Sequence, residues 1–371
     1  MDECDATCVN SVESTSDNSN SSANERDIDV SVEKRCKTCY EIHHLDDFHE
    51  KETNSDGYDV HCKKCQAVRR KKYRTTKTGC LRDMVTRAKN NNSQRVEKGR
   101  DLEFTLTYDD IVDLDEKQQS LCAISLLPLA FSTFSNWQAS PDRIDNSIGY
   151  TKENTQIVAL EFNTSSDWSQ LLILDLISLV DTVFENYDEA VIHMTQPLPR
   201  CGTRRAWPIK IIDGKEVIHC YFCKISKPRA DFPKKISSGC RTCKVINMKN
   251  HKETWRGILQ RLYGSAVTST GLRNNKGRGM KCTIKYEDIV KKFIDQKGMC
   301  AYSNVPLETT GQRMASLERI KTNVGYVPDN ICLICVCFQS ADRSNGVGES
   351  CGWSKKKWDF LVEHVEAMME N

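Results

Sequence analysis

Eight of the nineteen cysteines form two sets, one in each half of the 371-residue chain, and each set consists of two Cys-x-x-Cys pairs. In the first half 22 residues separate the two pairs, and in the second half 16 residues do. One such turn directs two thiolates at one metal ion, and two turns complete the tetrahedral sulfur shell that zinc prefers. The spacing therefore predicts two structural Zn²⁺ sites without an open position. Their predicted ligands are Cys36, Cys39, Cys62 and Cys65 in the first site and Cys220, Cys223, Cys240 and Cys243 in the second.

Two other arrangements of these cysteines stay open. They could be buried core residues without a metal, or they could share a zinc shell with His61 or His219, each directly beside a cysteine. Disulfides are disfavoured because no basic start followed by an apolar core marks a secretion signal. We therefore expect an intracellular, reducing compartment.

The two halves of the chain repeat each other. The segment SPDRIDNSIGYTKEN (140–154) returns as SLERIKTNVGYVPDN (316–330), and CAISLLPL (122–129) returns as CAYSNVPL (300–307). In both halves these segments follow the cysteine pairs and a YxDIV motif, and an apolar tail that opens with Trp-Ser comes last. Self-similarity in the same order indicates a tandem duplication.

Composition favours several small domains. The apolar fraction is 39% and the charged fraction 28%, which suits modest cores rather than one large core. The predicted fold class is α+β. A Cys4 zinc module followed by a mixed domain occurs twice in the chain. An acidic segment of net charge −8 precedes the first module, and we expect it to be disordered. The predicted boundaries are 1–33 for the acidic tail, 34–80 for zinc module 1, 81–192 for the first mixed domain, 193–217 for a linker, 218–250 for zinc module 2 and 251–371 for the second mixed domain.

A basic stretch follows each set of cysteines. VRRKKYRTTK (68–77) is the more strongly charged, and KVINMKNHKETWR (244–256) is the weaker. Lys and Arg beside a small rigid zinc module can neutralise phosphates, so DNA is the predicted partner. A solvated helix face is the alternative. The predicted nucleic-acid contacts are Arg69, Arg70, Lys71, Lys72 and Arg74.

At the acidic-Arg segment the chain resembles the HNH (ββα-metal) endonuclease superfamily. The matching features are CxxC…CxxC, CxxSxxPL, S-x-D-R-I-D…GY-x3-N and an Asn before a helix, over most of residues 34–170 and more weakly over 218–345. Similar DRID-type proteins with zinc modules occur in large DNA viruses and protists. The resemblance implies that each mixed domain is a ββα-metal unit. It also implies phosphodiester hydrolysis with Mg²⁺ or Mn²⁺ as the catalytic ion.

The resemblance assigns roles to residues of the first copy. Asp142 and Asn163 would hold the catalytic ion. Asn154 would hold the loop between the strands by hydrogen bonds, and Gly149-Tyr150 would form its turn. The alternative interpretation of this segment is a plain strand-turn hairpin inside an unrelated zinc protein.

Arg143 stands where the family usually carries its general-base histidine. Arginine keeps its proton near neutral pH, so it would clamp the phosphate or stabilise developing charge. The chain has no histidine between His61 and His193. Asp145 is therefore the local candidate for the base or for a second metal ligand, and His61 reaching in from the zinc module is the alternative.

The second copy departs further from the pattern. At the positions of the implied ligands and base it has Glu318, Lys321 and Gln339. Because metal sites tolerate little error in ligand position, this copy is predicted to be degenerate. Three cysteines of this copy stay open as core residues or as a further metal site; they are Cys332, Cys335 and Cys337.

The leading prediction is a metal-dependent DNA endonuclease whose first copy cuts, while the zinc modules and the second copy bind DNA. The missing histidine favours the alternative, a catalytically inactive zinc-dependent nucleic-acid-binding protein on the same scaffold. A zinc-dependent protein-interaction module is a third reading, which the basic stretches weaken. The longest apolar run, at 171–180, is too short to cross a bilayer, so we expect no membrane association. No obligate protein partner is evident, and a nuclear location would suit a DNA enzyme.

Overall fold

The computed structural model describes residues 33–100, 102–164, 166–197, 207–234, 239–275, 277, 279–339 and 352–370. Over those residues the chain is a mixed α+β protein with nine α-helices and five small antiparallel sheets, which confirms the predicted class. The predicted acidic tail, apart from its last residue, lies outside the described residues. None of the described helices combines the length and the apolar character needed to cross a membrane.

The chain divides into two compact units between Arg70 and Lys71. The first unit has a core of three residues, Cys36, Phe48 and Cys62. A core of this size rarely supports a fold by itself, and domains this small usually need a metal or another crosslink. Its elements are β1 (Glu33–Arg35) paired with β2 (Ile42–His44), β3 (Phe48–Glu50) paired with β4 (Tyr58–Cys62), and α1 (Lys63–Tyr73), which runs across the boundary.

The second unit opens with the elements of the first mixed domain. Side-chain caps explain where its helices begin: the Thr76 Oγ1 accepts from the Gly79 amide at 3.1 Å, Thr107 and Asp110 form a capping box, and Ser169 caps the last helix. The elements are α2 (Lys77–Val96), α3 (Tyr108–Lys117), β5 (Ala139–Arg143) paired with β6 (Thr155–Ala159), and α4 (Gln170–Ser178).

A further helix and the segment that carries the second four-cysteine group, the predicted zinc module 2, come next. The predicted linker at 193–217 contains ordered elements: the end of a helix, a complete strand and the start of another. The three strands of the module form one antiparallel sheet in chain order. The elements are α5 (Tyr187–Thr195), β7 (Ile209–Ile212), β8 (Lys215–His219), β9 (Ser226–Pro228) and α6 (Arg241–Lys252).

The second mixed domain repeats the order of the first. Helix α5, although it follows the first copy in the chain, packs on α7 (Trp255–Asn274) and α8 (Tyr286–Asp295) of the second. The ring of Phe184 lies 5.6 Å from those of Trp255 and Phe293, and Tyr187 stacks on Phe293 at 6.1 Å. The elements are α7 (Trp255–Asn274), α8 (Tyr286–Asp295), β10 (Ala315–Arg319) paired with β11 (Ile331–Cys335), and α9 (Lys355–Met369).

One hydrophobic core runs through both mixed domains. It joins Ile157 of β6 and Leu333 of β11, both fully buried, with the aromatic residues that follow each strand pair. The two strand pairs therefore pack on one hydrophobic core rather than on separate cores.

Candidate functional site

The first cysteine group lies between a turn and a helix start. Cys36 and Cys39 lie in the turn that joins β1 to β2, Cys62 ends β4, and Cys65 lies in the first turn of α1. Their four sulfur atoms all lie within 4.8 Å of one another. The backbone amides of Thr38 and Cys62 donate to the Cys36 Sγ at 3.4 and 3.3 Å. This donor set fits the tetrahedral sulfur shell of a structural zinc ion.

The second group is built in the same way. Cys220 and Cys223 lie in the turn between β8 and β9, Cys240 precedes α6, and Cys243 lies in its first turn. The four sulfurs again lie within 4.8 Å of one another, and the Cys240 amide donates to the Cys220 Sγ at 3.4 Å. The two predicted four-cysteine groups are therefore confirmed as sites that could hold Zn²⁺.

The thiols of each group differ in acidity. Burial opposes ionisation of Cys36, but the surrounding N–H donors outweigh it and lower its pKa to about 5. Burial and the neighbouring thiols raise the pKa of Cys65 to about 12. In the second group the same causes lower the pKa of Cys220 to about 6 and raise that of Cys243 to about 12. Full ionisation of four thiols this close requires a cation among them, which Zn²⁺ would supply.

His61 and His219 both make hydrogen bonds to hydroxyl groups. The His61 Nδ1 lies 2.8 Å from the Thr38 Oγ1, and the His219 Nδ1 lies 3.3 Å from the Ser226 Oγ. Among the described residues, neither histidine belongs to a group with ligand spacing. The all-cysteine shells are thus the better description of both sites.

His43 is a neighbour of the first four-cysteine group that sequence reasoning missed. Its Nε2 lies 3.3 Å from the Cys39 Sγ, and the two residues form a third group of ligand atoms with Glu41. The sequence feature that could have identified His43 is its place four residues after Cys39, on strand β2, which follows the Cys36–Cys39 turn.

The β5–β6 hairpin carries the implied catalytic acid at the edge of the core. Asp142 pairs directly with Gln156 across the hairpin, and the Gln156 Nε2 donates to the Asp142 Oδ2 at 3.1 Å. The next pair, Pro141 and Ile157, faces the other side, where Ile157 is fully buried. Burial raises the pKa of Asp142, although the Gln156 amide partly offsets this. Sequence reasoning did not single out Gln156, because its role depends on the strand register.

Asn163 reaches the same strand as Asp142. Its Nδ2 donates to the Ser140 Oγ at 3.0 Å and to the Pro141 carbonyl at 2.9 Å, directly before the acid. The two implied metal ligands are therefore neighbours at β5. A carboxylate and an amide oxygen suit Mg²⁺ or Mn²⁺, which keep several waters and bind substrate phosphates. Among the described residues, no group of three histidine, cysteine or acidic side chains with ligand spacing includes Asp142.

Arg143 is engaged by the loop that follows it. Its Nη1 donates to the carbonyls of Asn146 and Ile148 at 2.9 and 2.8 Å, and its Nη2 donates to the Asn146 Oδ1 at 2.8 Å. The guanidinium lies 5.4 Å from the centre of the Tyr150 ring, and the residue is only 5% exposed. This geometry gives Arg143 a role in holding the loop, whereas the sequence analysis expected it at the phosphate.

Asn154 and Asp145 hold the same loop. The Asn154 Oδ1 accepts from the Asp145 amide at 2.8 Å, and its Nδ2 donates to the carbonyls of Asp145 and Gly149 at 3.0 and 2.9 Å. The exposed Asp145 carboxylate accepts from the hydroxyl and the amide of Ser147, both at 2.7 Å, which lowers its pKa. Asn154 thus lies where a loop-holding residue must lie, and Asp145 caps a turn.

Gly149 allows two backbone segments to meet. A Cβ built there would lie 1.6 Å from the carbonyl oxygen of Glu103. The carbonyl of the next residue, Tyr150, accepts from the amides of Thr105 and Leu106 at 3.0 and 3.1 Å. The Gly-Tyr pair therefore docks the hairpin loop on the segment that precedes α3.

The second copy keeps this loop almost unchanged. The Asn330 Oδ1 accepts from the Lys321 amide at 2.8 Å, and its Nδ2 donates to the carbonyls of Lys321 and Gly325, both at 3.0 Å. Arg319 donates to the carbonyls of Thr322 and Val324. The repeated Arg, Gly-Tyr and Asn are thus explained by the scaffold that both copies share.

The residues at the ligand positions differ between the copies. In the second copy the Gln339 Nε2 donates to the Glu318 Oε2 at 2.7 Å, and the Ser316 hydroxyl donates to the Gln339 Oε1 at 2.7 Å. The longer side chains therefore hydrogen-bond each other. Cys332 takes the place of the amide opposite the acid. Burial and the nearby Glu318 raise the pKa of Cys332 to about 12.

The other cysteines of this copy belong to the core. Cys335 and Cys337 are fully buried in the shared hydrophobic cluster, and Cys332 packs against it. Within the described part of the chain, none of the three belongs to a group with metal-ligand spacing. The structure supports the core interpretation of these residues.

The basic residues predicted to contact nucleic acid are exposed on and just after α1. Arg74 lies closest to an acid, with its Nη2 3.1 Å from the Asp83 Oδ1. These residues are Arg69, Arg70, Lys71, Lys72 and Arg74.

Comparisons of the chain with protein families, with curated proteins and with solved structures find no match. The function must therefore be inferred from the residues and their geometry.

Proposed function

We propose that this protein is a metal-dependent DNA endonuclease of the HNH type, which hydrolyses phosphodiester bonds through its first copy. The observation that carries the proposal is that Asn163 hydrogen-bonds to Ser140 and Pro141, the two residues directly before Asp142 on β5. A half-buried acid beside an amide is an oxygen donor pair for a hard divalent ion. The second copy keeps the scaffold and lacks that pair.

The residues around this edge would fix the position of the ion. A bound Mg²⁺ or Mn²⁺ would stabilise negative charge on the scissile phosphate and on the leaving oxygen. Asp142 would bind it through the carboxylate, whose orientation the Gln156 amide fixes. Because the Asn163 Nδ2 donates to Ser140 and Pro141, its Oδ1 is the atom left to serve as a ligand.

Few side chains near the hairpin could act as the general base that accepts the proton from the attacking water. Asp145 is the acidic side chain next to the hairpin, but the hydrogen bonds from Ser147 lower its pKa. A carboxylate with a lowered pKa is a weak general base near neutral pH. We therefore expect slow hydrolysis compared with an enzyme that uses a histidine.

DNA would be held by the exposed basic residues on and after α1 and by the two zinc modules. Phosphate contacts of this kind release counterions, so binding should weaken steeply as salt rises.

Cleavage of supercoiled plasmid in Mg²⁺ or Mn²⁺ tests the proposal. Asp142→Asn keeps the size of the side chain and removes its charge, so this variant should not cut. Glu318→Ala is the matched control at the equivalent position of the second copy and should cut like the wild type. Equal cutting by the wild type and Asp142→Asn would contradict the assignment.

A specific observation favours a second candidate, an inactive nucleic-acid-binding protein. Both residues that could take the place of the histidine, Arg143 and Asp145, are engaged in holding the loop. On this alternative, neither the wild type nor any variant cuts in either ion, and all bind DNA in a salt-sensitive way.

A further inference from the structure

The two copies pack through equivalent residues. The Trp168 Nε1 donates to the Cys337 carbonyl at 3.2 Å, and the Trp353 Nε1 donates to the Glu161 carbonyl at 2.8 Å. Each tryptophan lies two residues before the terminal helix of its copy, and each carbonyl lies two residues after the second strand. When residue i contacts j and the equivalent j contacts the equivalent i, the interface is isologous, with two-fold symmetry.

The aromatic rings at this interface follow the same symmetry. The indoles of Trp168 and Trp353 stack on each other with centroids 5.0 Å apart. The Phe162 ring lies 5.2 Å from Trp353, and the equivalent Phe338 ring lies 5.6 Å from Trp168. All four rings are buried, so the copies are held in a fixed mutual orientation. One chain thus contains an intramolecular pseudo-dimer.

This symmetry matches that of duplex DNA. The two antiparallel strands of a duplex are related by two-fold axes, which is why symmetric protein dimers meet the two strands with equivalent surfaces. A pseudo-dimer docked on such an axis would bring the β5–β6 edge of one copy to one strand and the equivalent β10–β11 edge to the other strand.

The two edges differ in what they can bind. In the first copy the Asn163 amide donates to Ser140 and to the backbone of β5, and the Asp142 carboxylate accepts from Gln156 instead. In the second copy the Gln339 amide donates directly to the Glu318 carboxylate, and the Gln339 Oε1 accepts from Ser316. Both ligand positions of the second edge therefore accept hydrogen bonds within that edge, whereas among the described residues of the first edge the Asp142 carboxylate accepts one side-chain hydrogen bond and the Asn163 Oδ1 accepts none. The second copy therefore keeps the β10–β11 hairpin, but the side chains at its ligand positions hydrogen-bond each other.

We propose that the protein is a single-chain nickase, which binds both strands of a duplex and cuts only the strand at Asp142. This inference rests on the proposed function. In each turnover the oxygen of one water forms a bond to phosphorus, and one bond between phosphorus and a sugar oxygen breaks. One proton passes in net from the water to the leaving oxygen. The phosphodiester that faces Glu318 stays intact.

A time course of supercoiled plasmid cleavage with the full-length, zinc-loaded protein tests this inference. Open circular DNA should accumulate until the supercoiled form is consumed. Linear DNA should appear only afterwards, as independent nicks accumulate on opposite strands. Asp142→Asn should lose the open circular product, and Glu318→Ala should leave its rate and its form unchanged.

Different results separate the two proposals. Linear DNA that forms together with open circular DNA from the first time point, with only open circles from Glu318→Ala, would mean that both copies cut. That result overturns the nickase and leaves the endonuclease standing. No cleavage by the wild type in Mg²⁺ or Mn²⁺ overturns both.

Discussion

Lys357→Met is the sharpest test of how the two copies are joined. The Lys357 ammonium pairs with the Glu161 carboxylate of the other copy, and the two side chains are only 7% and 0% exposed. The Trp137 amide also donates to the Glu161 Oε1, at 3.1 Å. Removal of the lysine leaves a buried carboxylate without its cation. Loss of one partner of a buried pair typically costs about 3–5 kcal/mol, and we expect a loss of unfolding free energy in that range.

The assay is urea unfolding of the zinc-loaded protein, followed by tryptophan fluorescence. The double variant Glu161→Gln/Lys357→Met removes both charges and keeps an oxygen acceptor for Trp137. It should recover most of the loss, because no charge then remains buried. Lys355→Met on the same helix is the matched control, since its pair with Asp359 at 2.9 Å is exposed. Its expected cost is about 0.5 kcal/mol or less.

Two results would refute this reasoning. The first is a cost for Lys357→Met no larger than that of the exposed control. The second is a double variant whose cost equals the summed costs of Lys357→Met and Glu161→Gln measured singly, which would mean that the two charges do not interact.

Three further predictions concern zinc, the loop and DNA. Wild-type protein should contain two zinc ions per chain by elemental analysis, and Cys65→Ser or Cys243→Ser should each contain one; two in either variant would contradict the ligand assignment. Gly149→Ala should lower the unfolding free energy by about 1–3 kcal/mol through overpacking, whereas Gly264→Ala, in open space on α7, should raise it by up to about 1 kcal/mol. Lys71→Ala should weaken DNA binding equally for all sequences and reduce the slope of log K against log salt by about 0.9, as titrations at several salt concentrations would show; an unchanged slope would exclude a phosphate contact.

The parts that could be predicted are those that depend on nearby residues. Cys36 and Cys39 lie three positions apart, and the thiols of one turn must lie close together, so spacing alone indicates a metal group. The acid on a strand and the Asn before a helix were identified through resemblance, and their role as metal ligands stays a prediction; Asn163 hydrogen-bonds to Pro141, directly before Asp142. Gln156 and His43 were missed, because the contact of each depends on strand pairing rather than on a motif.

The duplication, the α+β class and the two cysteine groups could be recognised from the sequence, because each shows in composition, in repeated motifs or in residue spacing. The role of Arg143 could be recognised from the fold alone, because its guanidinium donates to the loop that follows it. The pairing of the copies is also a tertiary result: the Trp168 and Trp353 hydrogen bonds join residues 169 and 192 positions apart. Local propensity and spacing do not encode such contacts, because they depend on which surfaces the complete fold brings together.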